Sequence, residues 1–140
     1  RAFDAEMRER IALHKQQRGQ LGWQTVEEAL DVAAVLRQYA TTPVLLDCLT
    51  LWLTNLLLAE HEVEQPIQAL LASLNVRQAP TVMVGNEVGL GIVPDSPLGR
   101  RFRDEAGALH QRLAASVGKV VFVAAGLPLV LKNEGRPHGS

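Results

Sequence analysis

The sequence predicts an α/β domain in which a parallel sheet is covered by helices, and two observations carry that expectation. Three continuous apolar runs of strand length, at 44–47, 81–84 and 120–124, lack the alternation of a half-solvated strand, the pattern expected of strands buried on both faces. Between them lie longer segments with helical spacing. Strands and helices therefore alternate, which implies right-handed crossovers.

The first helical pattern covers residues 3 to about 18, where Phe3, Met7 and Ile11 recur every fourth position around Arg8, Glu9 and Arg10, and His14 continues the stripe. Gly19 and Gly22 end it. Thr25 followed three residues later by Glu28 has the form of a capping box, and the Ala-, Leu- and Val-rich stretch behind it predicts a helix over 26–39. Pro43 opens the first strand. Further helices are expected over about 49–59, about 66–76 and about 97–117, with an acidic, linker-like stretch at 60–65. The last helix is the most strongly marked: Ser96 is a natural N-cap, Pro97 fits the first helical position, Leu98, Phe102, Leu109 and Leu113 form a stripe, and Gly118 lies just past the end. No internal repeat is present. The organisation expected is one α/β domain over 1–135 and a short tail over 136–140.

Composition narrows the function classes. A chain of 140 residues, 47% hydrophobic and with a formal net charge of -1, suits one globular core, which at this size buries roughly two-thirds of the unfolded surface without disulfides or structural metal. The single cysteine, Cys48, excludes a disulfide framework and fits a reducing, cytoplasmic setting. Fourteen Lys and Arg against fifteen Asp and Glu leave no basic surplus for tracking phosphates, so nucleic acid is not an expected partner. The longest apolar stretch, 43–59, contains Asp47, Thr50, Thr54 and Asn55 and falls short of the ~20 residues of a spanning helix, so no membrane span is expected. The chain opens on Arg1, which leaves room for an upstream segment.

In open α/β sheets ligands gather beyond the carboxyl ends of the strands. Asp47 ends the first apolar run, the place of the acid that holds magnesium in nucleotide-hydrolysing folds, and it would equally serve as the cap of the helix that follows. Glu87 follows the second run in the loop Asn86-Glu87-Val88-Gly89-Leu90-Gly91-Ile92-Val93-Pro94, where glycines permit close approach of a ligand; the alternative is an ordinary turn. Gly89 and Gly91 complete only the first half of a dinucleotide fingerprint. Arg100, Arg101 and Arg103 lie in the first turns of the last helix, placed either to fork onto phosphate oxygens or to pair with acids such as Asp104 and Glu105. His14, followed by Lys15, is either a nucleophile or a packed stripe residue. His61, His110 and His138 share no metal-ligand spacing, and no structural metal is expected.

Several segments, in order, closely resemble one family. They are 3–15 (Phe3-Asp-Ala-Glu-Met-Arg-Glu-Arg-Ile-Ala-Leu-His-Lys), Trp23-Gln-Thr-Val-Glu-Glu, Leu46-Asp-Cys-Leu-Thr-Leu-Trp-Leu-Thr-Asn-Leu-Leu, Asn86-Glu-Val-Gly-Leu-Gly-Ile-Val-Pro, Leu98-Gly-Arg-Arg-Phe-Arg-Asp and Ala125-Gly-Leu-Pro-Leu. The family is the bifunctional adenosylcobinamide kinase / adenosylcobinamide-phosphate guanylyltransferase of cobalamin biosynthesis. The resemblance implies a P-loop, RecA-like α/β fold, a homotrimer, GTP, ATP and magnesium as nucleotide and metal requirements, and two reactions. In one, a nucleoside triphosphate phosphorylates adenosylcobinamide; in the other, a histidine takes GMP from GTP and passes it to adenosylcobinamide phosphate, giving adenosylcobinamide-GDP. The guanylylated histidine falls on His14, with Lys15 beside it, the magnesium acid falls on Asp47, and Glu87 lies in the signature loop.

The sequence departs from that pattern in one large respect. It contains no Gly-x-x-x-x-Gly-Lys-Ser/Thr loop, Gly118-Lys119 being followed by Val120. The resemblance places that loop and its strand upstream of the histidine helix, so they are expected before Arg1. Smaller departures are Gly85 and His110, where the resemblance leads one to expect a small hydroxyl residue and an asparagine. The competing expectation is a catalytically silent nucleotide- or corrinoid-binding subunit that has lost the P-loop.

Overall fold

The computed structural model describes residues 22–89 and 95–134. The helix expected over 3–18, with His14 and Lys15, and the tail over 136–140 lie outside the described residues. Eight elements follow in order: α1 (Val32–Gln38), β1 (Val44–Asp47), α2 (Leu49–Leu58), α3 (Glu64–Val76), β2 (Thr81–Val84), α4 (Pro97–Ser116), β3 (Lys119–Ala124) and β4 (Leu127–Asn133).

The core is helical, with one strand laid against it. α2 buries Leu49, Trp52, Leu53, Leu56 and Leu57, a spacing that turns a broad apolar band inward. Against it stand Leu36 of α1, Ile67 and Leu70 of α3, Ala106, Leu109 and Leu113 of α4, and Leu46 of β1. Each large aliphatic side chain buried there contributes about 1.5–3 kcal/mol relative to exposure. α3 and α4 are further joined by Glu64, whose Oε1 accepts from Arg112 Nη1 at 2.9 Å while its Oε2 accepts from Gln68 Nε2 at 2.8 Å. The hydrogen bond from Arg112, followed by that from Gln68, holds the Glu64 carboxyl below its ordinary range.

β1 and β2 pair in parallel, Val44 opposite Thr81 and Asp47 opposite Val84, as the continuous apolar runs predict, but they are not buried on both faces: Leu45, Val82 and Val84 are exposed. The third run behaves differently. β3 pairs with β4 as an antiparallel hairpin, Ala124 opposite Leu127, and forms a separate two-stranded sheet. The expectation of a third parallel strand buried on both faces is therefore corrected: Val123 is 62% and Leu129 59% exposed. Ala125 and Gly126 both have positive φ, 53° and 74°, which is the backbone of a two-residue hairpin turn matched to strand twist. The hairpin is tied to α4 through Lys132, whose Nζ donates to the carbonyl of Ala114 at 2.7 Å.

Two helix starts also differ from expectation. The helix predicted over 26–39 begins only at Val32, with Asp31 as its N-cap accepting from Ala34 N at 3.2 Å. Glu28 does not close a capping box with Thr25; its Oε2 accepts from the N–H groups of Leu30 and Asp31 at 3.1 Å each, and those bonds keep its carboxyl below the ordinary range. The reason is tertiary. The carbonyls of Ala29 and Leu30, which a longer helix would use internally, accept instead from Asn55 Nδ2 at 3.2 Å and Trp52 Nε1 at 2.8 Å. α3 begins two residues earlier than predicted, at Glu64, shortening the linker-like stretch. α4 matches its signals, with Ser96 Oγ accepting from Gly99 N at 2.9 Å, except that Leu98 is half exposed and takes no part in the core.

Arg77 closes the frame. Past the end of α3, its Nη1 donates to the carbonyls of Leu36 and Tyr39 at 2.8 Å each, its Nη2 to that of Thr42, and its Nε to Thr81 Oγ1 at 2.6 Å. One guanidinium thus serves the C-terminal carbonyls of α1, the turn into β1 and the first residue of β2. Desolvation lowers its pKa from the ordinary value, yet an arginine remains charged throughout the working pH range. Arg77→Ala should cost about 3 kcal/mol in stability, a drop of roughly 10 °C in melting temperature. Arg77→Lys should recover little, because one ammonium cannot reproduce a planar fork of donors. Thermal unfolding of the two variants measures this, and a melting temperature unchanged in Arg77→Ala would contradict it.

Candidate active site

The parallel register brings two loops out at one end of the sheet. Asp47 is the last residue of β1 and lies opposite Val84, the last of β2, so the chain leaves both strands side by side at their carboxyl ends. That is where open α/β sheets bind ligands. The Asp47 side chain is exposed and, among the described residues, its carboxylate has no hydrogen-bond partner.

The helix-cap reading of Asp47 is corrected by the next residue. Cys48 is the N-cap of α2, in extended conformation, and its Sγ accepts from Leu51 N at 3.4 Å. Asp47 is thereby left available at the strand end. Thr50, in the first turn of α2, ties the two loops together by accepting from the backbone N–H of Asn86 on Oγ1 at 2.8 Å, while its own carbonyl accepts from Thr54 Oγ1 at 2.9 Å. This junction was not singled out in the sequence; a hydroxyl two residues beyond a cap carries no long-range signal by itself.

Glu87 lies one residue further along the loop, exposed, and its Oε1 accepts from Gly89 N at 2.5 Å, a local turn in which the carboxylate stays at the surface. Arg103 donates from Nη2 to the carbonyl of Gly89 at 2.7 Å, so the loop is held against α4 at Gly89. The other two arginines do not converge with it. Arg100 donates from Nη1 to the carbonyl of Asp95 at 2.7 Å, and Arg101 pairs with Glu105 at 3.9 Å along the helix surface, the pairing with a nearby acid that the sequence left open. Residues 90–94 of the loop are outside the described residues.

A cavity of about 650 Å³ opens on β1, walled by α1, the start of α2 and the segment 22–28. Trp23, Tyr39, Leu45 and Trp52 give it an apolar lining, and Asp47 and Cys48 stand on its wall. Asp47 therefore faces both the end of the strand and this cavity. Among the described residues there is no group of three His, Cys, Asp or Glu side chains arranged to hold a metal, and no helix is long and apolar enough to cross a membrane.

Gly85 and His110, the two smaller departures, are in contact. A Cβ added to Gly85 would lie 2.9 Å from His110 Nε2 and 3.5 Å from Leu49 Cβ, so the loop starts against the N-terminus of α2 on one side and α4 on the other.

Comparison with known proteins gives the family. The family model described as cobinamide kinase / cobinamide phosphate guanyltransferase matches residues 1–131. The bifunctional adenosylcobalamin biosynthesis protein CobP of Pseudomonas aeruginosa is 47% identical over 137 residues, covering 95% of this chain and 79% of that protein. The bifunctional adenosylcobalamin biosynthesis proteins CobU of Salmonella typhimurium and Escherichia coli are 37% and 38% identical over 147 residues, each comparison covering 93% of this chain and 81% of the relative. The chain belongs to the cobinamide kinase / cobinamide phosphate guanyltransferase family of enzymes.

Proposed function

We propose that this protein phosphorylates adenosylcobinamide with a nucleoside triphosphate, ATP or GTP, and transfers GMP from GTP to adenosylcobinamide phosphate through a guanylylated His14. The observation that carries the reading is the carboxylate of Asp47, without a hydrogen-bond partner among the described residues, beside the Asn86–Glu87 loop at the carboxyl end of β1 and β2, in a chain matched nearly end to end by the family. The reading includes one α/β domain over 1–135 of P-loop NTPase plan, its phosphate cradle supplied by a strand other than the four described, and assembly as a homotrimer in the cytoplasm.

In the guanylyl step an imidazole nitrogen of His14 attacks the α-phosphorus of GTP. The N–P bond forms as the bond to the bridging oxygen breaks, and pyrophosphate leaves with the electron pair. A phosphate oxygen of adenosylcobinamide phosphate then attacks the same phosphorus, the N–P bond breaks, and the imidazole is restored. Dividing one displacement into two gives each a better nucleophile or leaving group. Lys15 adds positive charge beside the histidine. Arg100, Arg101 and Arg103 place three more cations on the first turns of α4, where guanidiniums can fork onto phosphate oxygens.

Magnesium asks little of a protein, usually one or two carboxylates with phosphates and water completing the shell. Asp47, exposed and without a hydrogen-bond partner among the described residues, fits that requirement. When bound there, the ion would offset phosphate charge during transfer. Glu87, within the neighbouring loop, would orient a hydroxyl or water.

Two experiments test the reading. With GTP labelled at the α-phosphate, the protein should retain an acid-labile, base-stable label, as a phosphoramidate does, and His14→Ala should lose it; label persisting in that variant would move the nucleophile elsewhere. Asp47→Asn should lower phosphoryl transfer roughly 100-fold or more while the melting temperature stays within a few degrees, because Cys48 rather than Asp47 caps α2. A variant that melts early but retains full activity per folded molecule would make Asp47 a structural residue.

A further inference from the structure

Gly85 leaves β2 and opens the loop that carries Asn86 and Glu87. Its φ lies outside the left-handed region, unlike that of Gly126 in the hairpin turn. Conformation therefore does not demand glycine here; volume does. A Cβ at this position would come within 2.9 Å of His110 Nε2, closer than a carbon and a nitrogen approach without a bond between them. The imidazole, reaching from α4, fills the space that any side chain at position 85 would need. Among the described residues that ring has no hydrogen-bond partner, so bulk is what it contributes.

We infer that Gly85 and His110 are a matched steric pair that positions the Asn86–Glu87 loop at the end of the sheet. The loop has three holds. Thr50 of α2 takes the N–H of Asn86, Arg103 of α4 takes the carbonyl of Gly89, and the His110 ring backs the loop where it begins. The first two fix the loop at Asn86 and at Gly89. The third lies where a Cβ at position 85 would come within 2.9 Å, so any larger residue there has to push the end of the imidazole aside. His110 is thus a positioning residue, acting through the loop and not on substrate. Its role in catalysis rests on the proposed function; the contact itself does not.

The test is a double-mutant cycle of Gly85→Ala, His110→Ala and the pair together, with Gly107→Ala as control, since a Cβ at Gly107 on the same helix meets nothing within 4 Å. Two readouts are taken: kcat and KM for guanylyl transfer, and the NMR signals of the His110 ring, identified by their loss in His110→Ala, with the amides of Asn86 and Gly89. Gly85→Ala should shift the ring and both amides and lower kcat roughly tenfold, the scale of a small misplacement in a catalytic loop, with little change in KM. In the background of His110→Ala the same alanine should shift those amides far less and cost less than twofold in kcat. Gly107→Ala should change none of these. A His110 ring unmoved by Gly85→Ala, or an effect of that alanine equal with and without the ring, would overturn the inference. If the ring and amides couple as stated in a protein inactive toward both substrates, the steric pair stands and the proposed function fails.

Discussion

The arrangement of the site depends on one guanidinium. A two-stranded parallel sheet has no hairpin to set its register, and β1 and β2 are separated by the whole of α2 and α3, so something else must hold their amino ends level. Arg77 does so by donating at once to the end of α1, to the turn into β1 and to Thr81 at the start of β2. Backbone bonds from Gln78 N to the Ala40 carbonyl and from Val44 N to the Pro80 carbonyl, each 3.0 Å, reinforce the same junction. With the amino ends level, Asp47 must fall opposite Val84, and the two loops that carry the proposed chemistry emerge together. Among the described residues no carboxylate pairs with this guanidinium. Carbonyl acceptors satisfy it without adding a second buried charge, which avoids the larger desolvation cost of a buried ion pair.

At the opposite end the loops are fixed by small, specific contacts: a cysteine cap, a threonine hydroxyl, an arginine on a carbonyl and an imidazole against a glycine. None is strong alone. Together they hold backbone and loop while leaving the Asp47 carboxylate unengaged among the described residues, and an unengaged acid at a strand end is what a phosphate-bound magnesium ion would need as a ligand. The apolar cavity along β1 adds a volume next to that acid into which part of a substrate could enter.

Local signals were legible where local physics decides the outcome. The runs 44–47 and 81–84 became parallel strands because β-branched and aliphatic sequence favours extended backbone, although Leu45, Val82 and Val84 remain exposed, and α4 began at Pro97 because Ser96 supplies the cap. Long-range signals were not. The helix expected from Thr25 was shortened when Trp52 and Asn55, far along the chain, took the carbonyls it needed. β4 was missed because Pro128 discourages a strand assignment and because Ala125, a residue that rarely adopts positive φ, hides the two-residue turn. Asp47 and Glu87 were visible as acids after strands, but Asp47's release from capping was not, since cysteine is an uncommon N-cap. Arg77 and Thr50 carried no signal, their partners being distant in sequence. Gly85 and His110 stood out only as two unrelated departures until the fold placed them in contact.

The central claim is that nucleotide phosphates and their metal gather at the carboxyl end of β1 and β2. Paramagnetic broadening by manganese bound with GTP reports proximity to the ion directly, residue by residue. Titration into the labelled protein should broaden the amides of 47–50 and 86–89 first, and leave those of the β3–β4 turn at Ala125 and Gly126 until much higher concentration. Broadening centred on the hairpin, or spread evenly over exposed acids such as Glu64 and Glu134, would contradict it.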